Sequence, residues 1–255
     1  MLDRRTLLAS MGALAGLGAA SPAAAALQTR SLDRLVGRTL ILGFLGDEAG
    51  AEGADRIEAD LAEGRIGGVL FLRHNARSRD GVLGLARRFR AAAPQAWLAI
   101  DQEGGFVQRL TADMGFTDIP TARELAAMGP VAARPIFAAA AAELAEAGFN
   151  LNLAPVADLD QPGNAVIGRY DRAFGTDPAA VAAWCGVFID AMEAAGVACA
   201  IKHFPGHGRS SGDSHDGFVD LTQTWSFEEV EPFARLIESD HAHLIMGGHL
   251  INRRL

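Results

Sequence analysis

Val197-Ala198-Cys199-Ala200-Ile201-Lys202-His203-Phe204-Pro205-Gly206-His207-Gly208 passes directly from an apolar run into a loop of Gly and His. The run Val197 to Ile201 reads as a buried strand, since a short apolar segment bounded by turn residues offers no polar face to water. The loop opens with Lys202, the one lysine of the chain, where every other basic side chain is arginine. It continues through Arg209 to Asp213-Ser214-His215-Asp216, so three of the seven histidines fall in this single stretch.

The same passage from strand to polar cluster recurs along the chain. Trp97 to Ile100 runs into Asp101-Gln102-Glu103-Gly104-Gly105, Leu151 to Val156 carries Asn152 and leads to Asp158, and His243 to Met246 leads to His249. Thr39 to Leu45 and Gly68 to Leu72 are two further strands. Amphipathic helical patterns lie between them, over Asp55 to Glu63, Arg79 to Ala92, Ala122 to Met128, Pro135 to Ala147, Pro178 to Ala195 and Phe227 to Ser239. Alternation at this spacing means parallel strands with crossover helices. Polar residues at the C-terminal ends of several different strands point to an α/β protein of the (β/α)8 TIM-barrel type, whose sites are assembled there. An open doubly wound sheet would gather its site at one switch point, and no Gly-x-Gly-x-x-Gly follows the first strand. The pattern yields about six strand–helix units where a closed barrel has eight. The expectation is therefore an incomplete barrel that stops before its last strands.

The N-terminus reads differently. Asp3-Arg4-Arg5-Thr6-Leu7-Leu8 opens a weakly hydrophobic Ala/Gly/Leu stretch that ends in Ser21-Pro22 and a run of alanines. A charged start, a short apolar region and an Ala-x-Ala site describe an export signal, and the paired arginines resemble a twin-arginine signal. Residues 1–26 are thus expected to be a signal peptide and 27–255 a barrel domain working outside the cytoplasm, periplasmic or extracellular. No later segment is long and apolar enough to span a membrane. A net charge of −8 without a concentrated basic run argues against nucleic acid as a partner. Cys185 on a helix and Cys199 in a buried strand read as two inert thiols.

The chemistry lies in the strand-end clusters. In Asp213-x-His215 a carboxylate neighbours an imidazole and can orient its tautomer and raise its basicity, which suits proton transfer to and from a leaving group. Lys202 and His203 offer donors to hydroxyls or a carboxylate. Asp101 is placed to accept from ligand hydroxyls and Arg109 to donate, although a plain salt bridge between these two is the bland alternative. The long loop from Asn164 to Gly175 adds charged candidates, Arg172 among them, and its length favours a binding role. A zinc-dependent barrel hydrolase could draw on His203, His215 and His249 from separate strands. His241-x-His243 has ligand spacing but precedes its strand, at the wrong end of a barrel.

Three motifs in order carry a resemblance: Asp101-Gln102-Glu103-Gly104-Gly105 with Gln108-Arg109-Leu110, then Val166-Ile167-Gly168 with Arg172-Ala173-Phe174-Gly175, then Lys202 to Gly208 with Asp213-Ser214-His215. Together they resemble the family-3 glycoside hydrolases, in their β-N-acetylglucosaminidase (β-N-acetylhexosaminidase) branch, from about Leu32 to the last residue. The resemblance implies a barrel glycosidase that retains configuration and uses neither metal nor cofactor. Its partners would be small saccharides, N-acetylglucosaminides that include cell-wall muropeptide fragments. By the same resemblance His215 is the proton donor and acceptor with Asp213 in support, and Asp101, Arg109, Arg172, Lys202 and His203 bind the sugar. A histidine in the acid/base role departs from the usual pair of carboxyl groups. Two departures from the family pattern stand out. Phe106 follows Gly104-Gly105 where the family ordinarily has arginine, and nothing after His249 matches the motif that supplies the nucleophilic aspartate. No residue of this chain is therefore assigned as nucleophile, and the resemblance implies little or no hydrolytic turnover from these 255 residues alone. A non-catalytic saccharide-binding module built on the same loops is the alternative reading.

Overall fold

The structure, a computed structural model, describes residues 32–212 and 217–255. Six parallel strands form one sheet in the spatial order of the chain: β1 (Ile41–Gly43), β2 (Gly68–Phe71), β3 (Trp97–Ile100), β4 (Leu151–Asn152), β5 (Ala198–Phe204) and, after a short excursion, β7 (Leu244–Gly247). Helices α1 (Glu52–Ala62), α2 (Arg79–Ala92), α3 (Ala122–Met128), α4 (Pro130–Glu146), α5 (Pro178–Ala194) and α6 (Glu231–Glu238) make the crossovers. The excursion is β6 (Val219–Asp220), which pairs in parallel with β8 (Leu250–Ile251) as a separate two-stranded sheet. No pattern in the sequence announced that pair. It shelters a small apolar cluster of Val219, Leu221 and Trp225.

The six-stranded sheet curls as a half-barrel, and alternation along its strands separates two apolar faces. Val69, Phe71, Leu98, Ile100, Cys199 and Ile201 turn outward into the main core, where they meet Leu85, Phe89, Phe137, Phe188 and Met192 of the helices. Leu70, Ala99, Leu151, Ala200 and Leu244 turn inward as a second, smaller cluster. Two residues further along, the same inward positions are Leu72, Asp101, Leu153, Lys202 and Met246, and all five line one cleft at the C-terminal ends of the strands. The strand period thus carries apolar packing into polar chemistry within one step of the pleat. At the two ends of the sheet the apolar surface is less covered, as at Leu40, Ile41 and Leu42 beside β1 and Ile245 on β7.

The structure agrees with the reading of six parallel strands and corrects several boundaries. The strand expected over Leu151 to Val156 ends at Asn152; Val156 returns as one isolated bridge to Lys202. The strand expected to stop at Ile201 runs on to Phe204, so Lys202 and His203 are strand residues rather than the start of the loop. Helix α4 begins at Pro130 after Gly129 with φ +84°, and Pro135, taken in the sequence as the start, sits inside it. The helix expected from Phe227 divides into a 3₁₀ turn, Phe227–Val230, and α6, with Pro232 in the first turn of α6. Cys185 and Cys199 are free and buried, and burial pushes both thiols up, away from reactive thiolate. The export signal read in residues 1–26 lies outside the described residues.

Phe71 is fully buried and meets Phe44, Phe89 and Phe149 edge to face at centroid distances of 5.2, 5.9 and 4.9 Å. Phe71→Ala is expected to lower unfolding free energy by about 3–5 kcal/mol. Phe218→Ala, at an exposed position, should change it by no more than about 0.5 kcal/mol. Urea denaturation midpoints of the two variants check the pair.

Candidate active site

Backbone clamps fix the strand ends before any charge is placed. Asn152 and the Gln102 backbone exchange two hydrogen bonds, the Gln102 N–H donating to Asn152 Oδ1 and Asn152 Nδ2 donating to the Gln102 carbonyl, each at 3.0 Å. The Gln102 side chain then gathers its own loop: Oε1 accepts from the N–H groups of Arg109 and Leu110 at 2.9 and 3.0 Å, and Nε2 donates to the Leu110 carbonyl at 2.8 Å. Gly104 and Gly105, at φ +111° and +54°, turn this loop where a Cβ would strike Ile119, Pro120 or Thr121. The result is a loop whose ends, Asp101 and Arg109, face each other.

A chain of alternating charges lies on the floor of the cleft. Lys202 Nζ stands 2.7 Å from Asp101 Oδ1 and 2.7 Å from Glu103 Oε1. Glu103 also receives a two-pronged contact from Arg172, Nε and Nη2 each at 2.8 Å. Arg109 Nη2 closes the other end on Asp101 Oδ2 at 3.2 Å. The Lys202, Glu103 and Arg172 side chains are all nearly buried, whereas Asp101 and Arg109 keep some contact with solvent. Burial alone would raise the Glu103 carboxyl, but Lys202 and Arg172 outweigh it and hold the group down at about 2. Glu103 is therefore ionised and saturated. Lys202, with two of its three protons directed at carboxylates, keeps one donor for a ligand. Arg109 Nε is buried with no hydrogen-bond partner among the described residues.

His203 is oriented from behind. Its Nδ1 lies 2.6 Å from Asp158 Oδ2, and its backbone N–H donates to Asp158 Oδ1 at 3.2 Å. The His207 N–H donates to the same Oδ1 at 2.8 Å. Burial pushes the Asp158 carboxyl up, but His203 and these donors outweigh it, so the group sits below its ordinary range. An ionised carboxylate only accepts, so Nδ1 carries the proton and Nε2 is left to a ligand. Glu229, entirely buried, is the opposite case. Burial pushes its carboxyl up to about 7 and the charge on Asp158 adds to the rise. Its Oε2 accepts from the Gly208 N–H at 3.1 Å, and a Cβ on Gly206 would lie 2.4 Å from the Glu229 Cβ.

Five of the residues read from the sequence, Asp101, Arg109, Arg172, Lys202 and His203, thus line one cleft of about 640 Å³, with His249 across from them. The Asp101–Arg109 salt bridge anticipated as an alternative is present, as one link of the longer chain. Asp213 and His215 lie outside the described residues. Among the described residues no three of His, Cys, Asp and Glu are grouped as metal ligands. Glu103 and Asp158 stand in the sequence as strand-end carboxylates with no pattern that singles out a role; Glu229, inside a helical pattern, carries no signal at all.

A protein-family model described as the N-terminal domain of glycosyl hydrolase family 3 matches residues 38–255. The chain belongs to that family. The beta-hexosaminidases of Xylella fastidiosa (strain M23) and Stenotrophomonas maltophilia (strain K279a) are each 36% identical to it over 223 residues. Each alignment covers 83% of this chain and 64% of the relative, so the chain spans just under two thirds of their length. Among solved structures, NagZ from Neisseria gonorrhoeae in complex with N-trifluoroacetyl-D-glucosamine superposes with a TM-score of 0.73 at 28% identity, over 84% of this chain and 64% of that one. A family-3 β-N-acetylglucosaminidase from Paenibacillus sp. str. FPU-7 gives a TM-score of 0.76 at 30% identity, over 87% and 42%. The half-barrel is the family-3 fold.

The two buried glutamates give stability opposite pH slopes. Glu103 is held down at about 2 against an ordinary 4.5, so its contribution is present above pH 4.5 and lost as pH falls towards 2. Glu229, raised to about 7, keeps a proton in the fold that the unfolded chain releases near 4.5, so stability falls as pH rises from 4.5 to 7. Urea midpoints followed against pH should show Glu229→Gln flattening the neutral-side fall and leaving the acid-side loss in place.

Proposed function

We propose that this chain carries the sugar-binding half of a retaining β-N-acetylglucosaminidase acting on terminal β-linked N-acetylglucosamine. The observation that carries the reading is the charge chain Arg109–Asp101–Lys202–Glu103–Arg172 at the strand ends of a family-3 domain, its Lys202–Glu103–Arg172 part nearly buried. A pyranose ring needs donors and acceptors fixed around its rim, and here each charge is held by its neighbour before a ligand arrives. Asp101 and His203 Nε2 accept from sugar hydroxyls; Arg109, Arg172 and Lys202 supply donors. The names of the beta-hexosaminidase relatives and the glucosamine derivative bound by the Neisseria protein support this assignment.

The chemical step rests on the motif resemblance. His215, supported by Asp213, protonates the departing glycosidic oxygen and later takes a proton from the attacking water. Retention also needs a nucleophile about 5 Å from the acid/base, on the opposite face of the sugar, to bond the anomeric carbon as the leaving oxygen departs and to be displaced by water afterwards. No residue is assigned to that role. The substrates in this reading are soluble saccharides outside the cytoplasm, cell-wall fragments or chitin-like oligomers, delivered to an exported protein whose signal is residues 1–26.

Calorimetric titration with N-acetylglucosamine tests the site. Binding should be measurable in the intact chain and weakened at least about tenfold by Asp101→Ala, a loss of one charge-assisted contact. Absence of binding, or binding indifferent to Asp101, would overturn the proposal. Where an aryl N-acetylglucosaminide is turned over, His215→Ala should lower the rate about 10²–10⁴-fold and leave N-acetylglucosamine affinity within about twofold. Expression in a bacterium with twin-arginine export should yield a periplasmic product beginning near Leu27, read by N-terminal sequencing; a cytoplasmic product with residues 1–26 intact would refute the export reading.

A further inference from the structure

Phe106 follows Gly104-Gly105 in the loop after β3, and it is 54% exposed in the wall of the cleft. A single exposed phenylalanine is unexceptional. This one, however, is held. Its ring stacks on Tyr170 with centroids 4.1 Å apart and 11° between the planes. The Arg73 guanidinium lies over the same ring, 5.6 Å from its centroid, and Nη2 donates to the Phe106 carbonyl at 3.2 Å. Arg73, Phe106 and Tyr170 come from the loops after β2, β3 and β4, and all three line the cleft that has the charge chain on its floor.

Floor and rim differ in kind. On the floor Asp101 and Glu103 are each matched by two cations. The rim offers a flat apolar surface and a guanidinium with no carboxylate partner among the described residues; its one polar contact there is the Phe106 carbonyl. Such a pair matches a second pyranose, whose axial C–H bonds make an apolar face and whose equatorial hydroxyls accept hydrogen bonds at its edge.

We propose that Phe106, backed by Tyr170 and flanked by Arg73, is a subsite for the second sugar ring of the substrate, the one joined through the glycosidic oxygen. This rests on the reading that the charged floor takes the terminal N-acetylglucosamine. The substrate is then an oligosaccharide with a sugar aglycone, and Phe106 is a residue that sets specificity.

Calorimetry on the intact chain with N-acetylglucosamine and with its β-1,4-linked dimer separates the two readings. The dimer should bind about tenfold tighter than the monosaccharide, the increment expected of one aromatic contact and its hydrogen bonds. Phe106→Ala should remove most of that increment and leave monosaccharide affinity within about twofold. Phe106→Trp, which keeps a flat ring, should retain it. Monosaccharide binding with no gain for the dimer would overturn the subsite and leave the proposed function standing, as would equal loss of both ligands in Phe106→Ala. Failure of both ligands to bind would overturn both.

Discussion

The Lys202 ammonium, placed between Asp101 and Glu103, is the interaction on which the rest of the site depends. Two carboxylates a few ångströms apart beneath the surface repel each other and lose hydration, and a cation between them reverses both penalties. Arg172 and Arg109 extend the pattern outward, so that charge alternates from one end of the cleft to the other. Buried ion networks are seldom the most stable way to fill a space, because well-packed apolar side chains commonly do as well. Such a network gives a fixed set of donors and acceptors, already desolvated, with no reorganisation left to pay for when a ligand binds.

The backbone explains how a single lysine reaches that place. β4 ends at Asn152, and the chain rejoins β5 at Lys202, whose N–H donates to the Pro155 carbonyl at 3.2 Å and whose carbonyl accepts from the Ala157 N–H at 2.7 Å. β5 continues past its neighbour to Phe204, and the inward alternation Ala200, Lys202 then puts the ammonium above the inner apolar cluster. Asp101 arrives from β3 by the same rule, two residues after Ala99. The register Ile100 to Asn152 and Asn152 to Cys199 holds both rows in step. A one-residue slip in any of these pairs would turn a charged group into the helix-facing core.

Much of this was legible in the residues. Period and spacing revealed six parallel strands, and polar residues at their C-terminal ends identified the barrel end that bears the site. Lys202 was conspicuous through composition alone. The partnerships were not legible, because they join residues far apart in sequence: nothing local says that Lys202 serves Glu103 as well as Asp101, or that Arg172 is the other partner of Glu103. Asp158 looked like any strand-end carboxylate until three donors converged on it. Glu229 was hidden for another reason. A glutamate in an amphipathic stretch is ordinarily solvated, and only the close approach of Gly206 and Gly208 buries it. The boundary errors at β4 and β5 share one cause, since strand ends are settled by what the neighbouring strand can offer.

Asp158 has one more consequence. It belongs to the loop after β4, yet it holds the backbone N–H groups of His203 and His207 and the imidazole of His203. Asn164, from the same loop, donates to the carbonyls of His207 and Gly208. Two segments that are separate in the chain are thereby stitched into one mechanical unit, with donors and acceptors running both ways across the seam. A deformation that opens one segment must drag the other with it. Chain length between strands would allow each loop to fluctuate alone; the seam gives them a common rhythm.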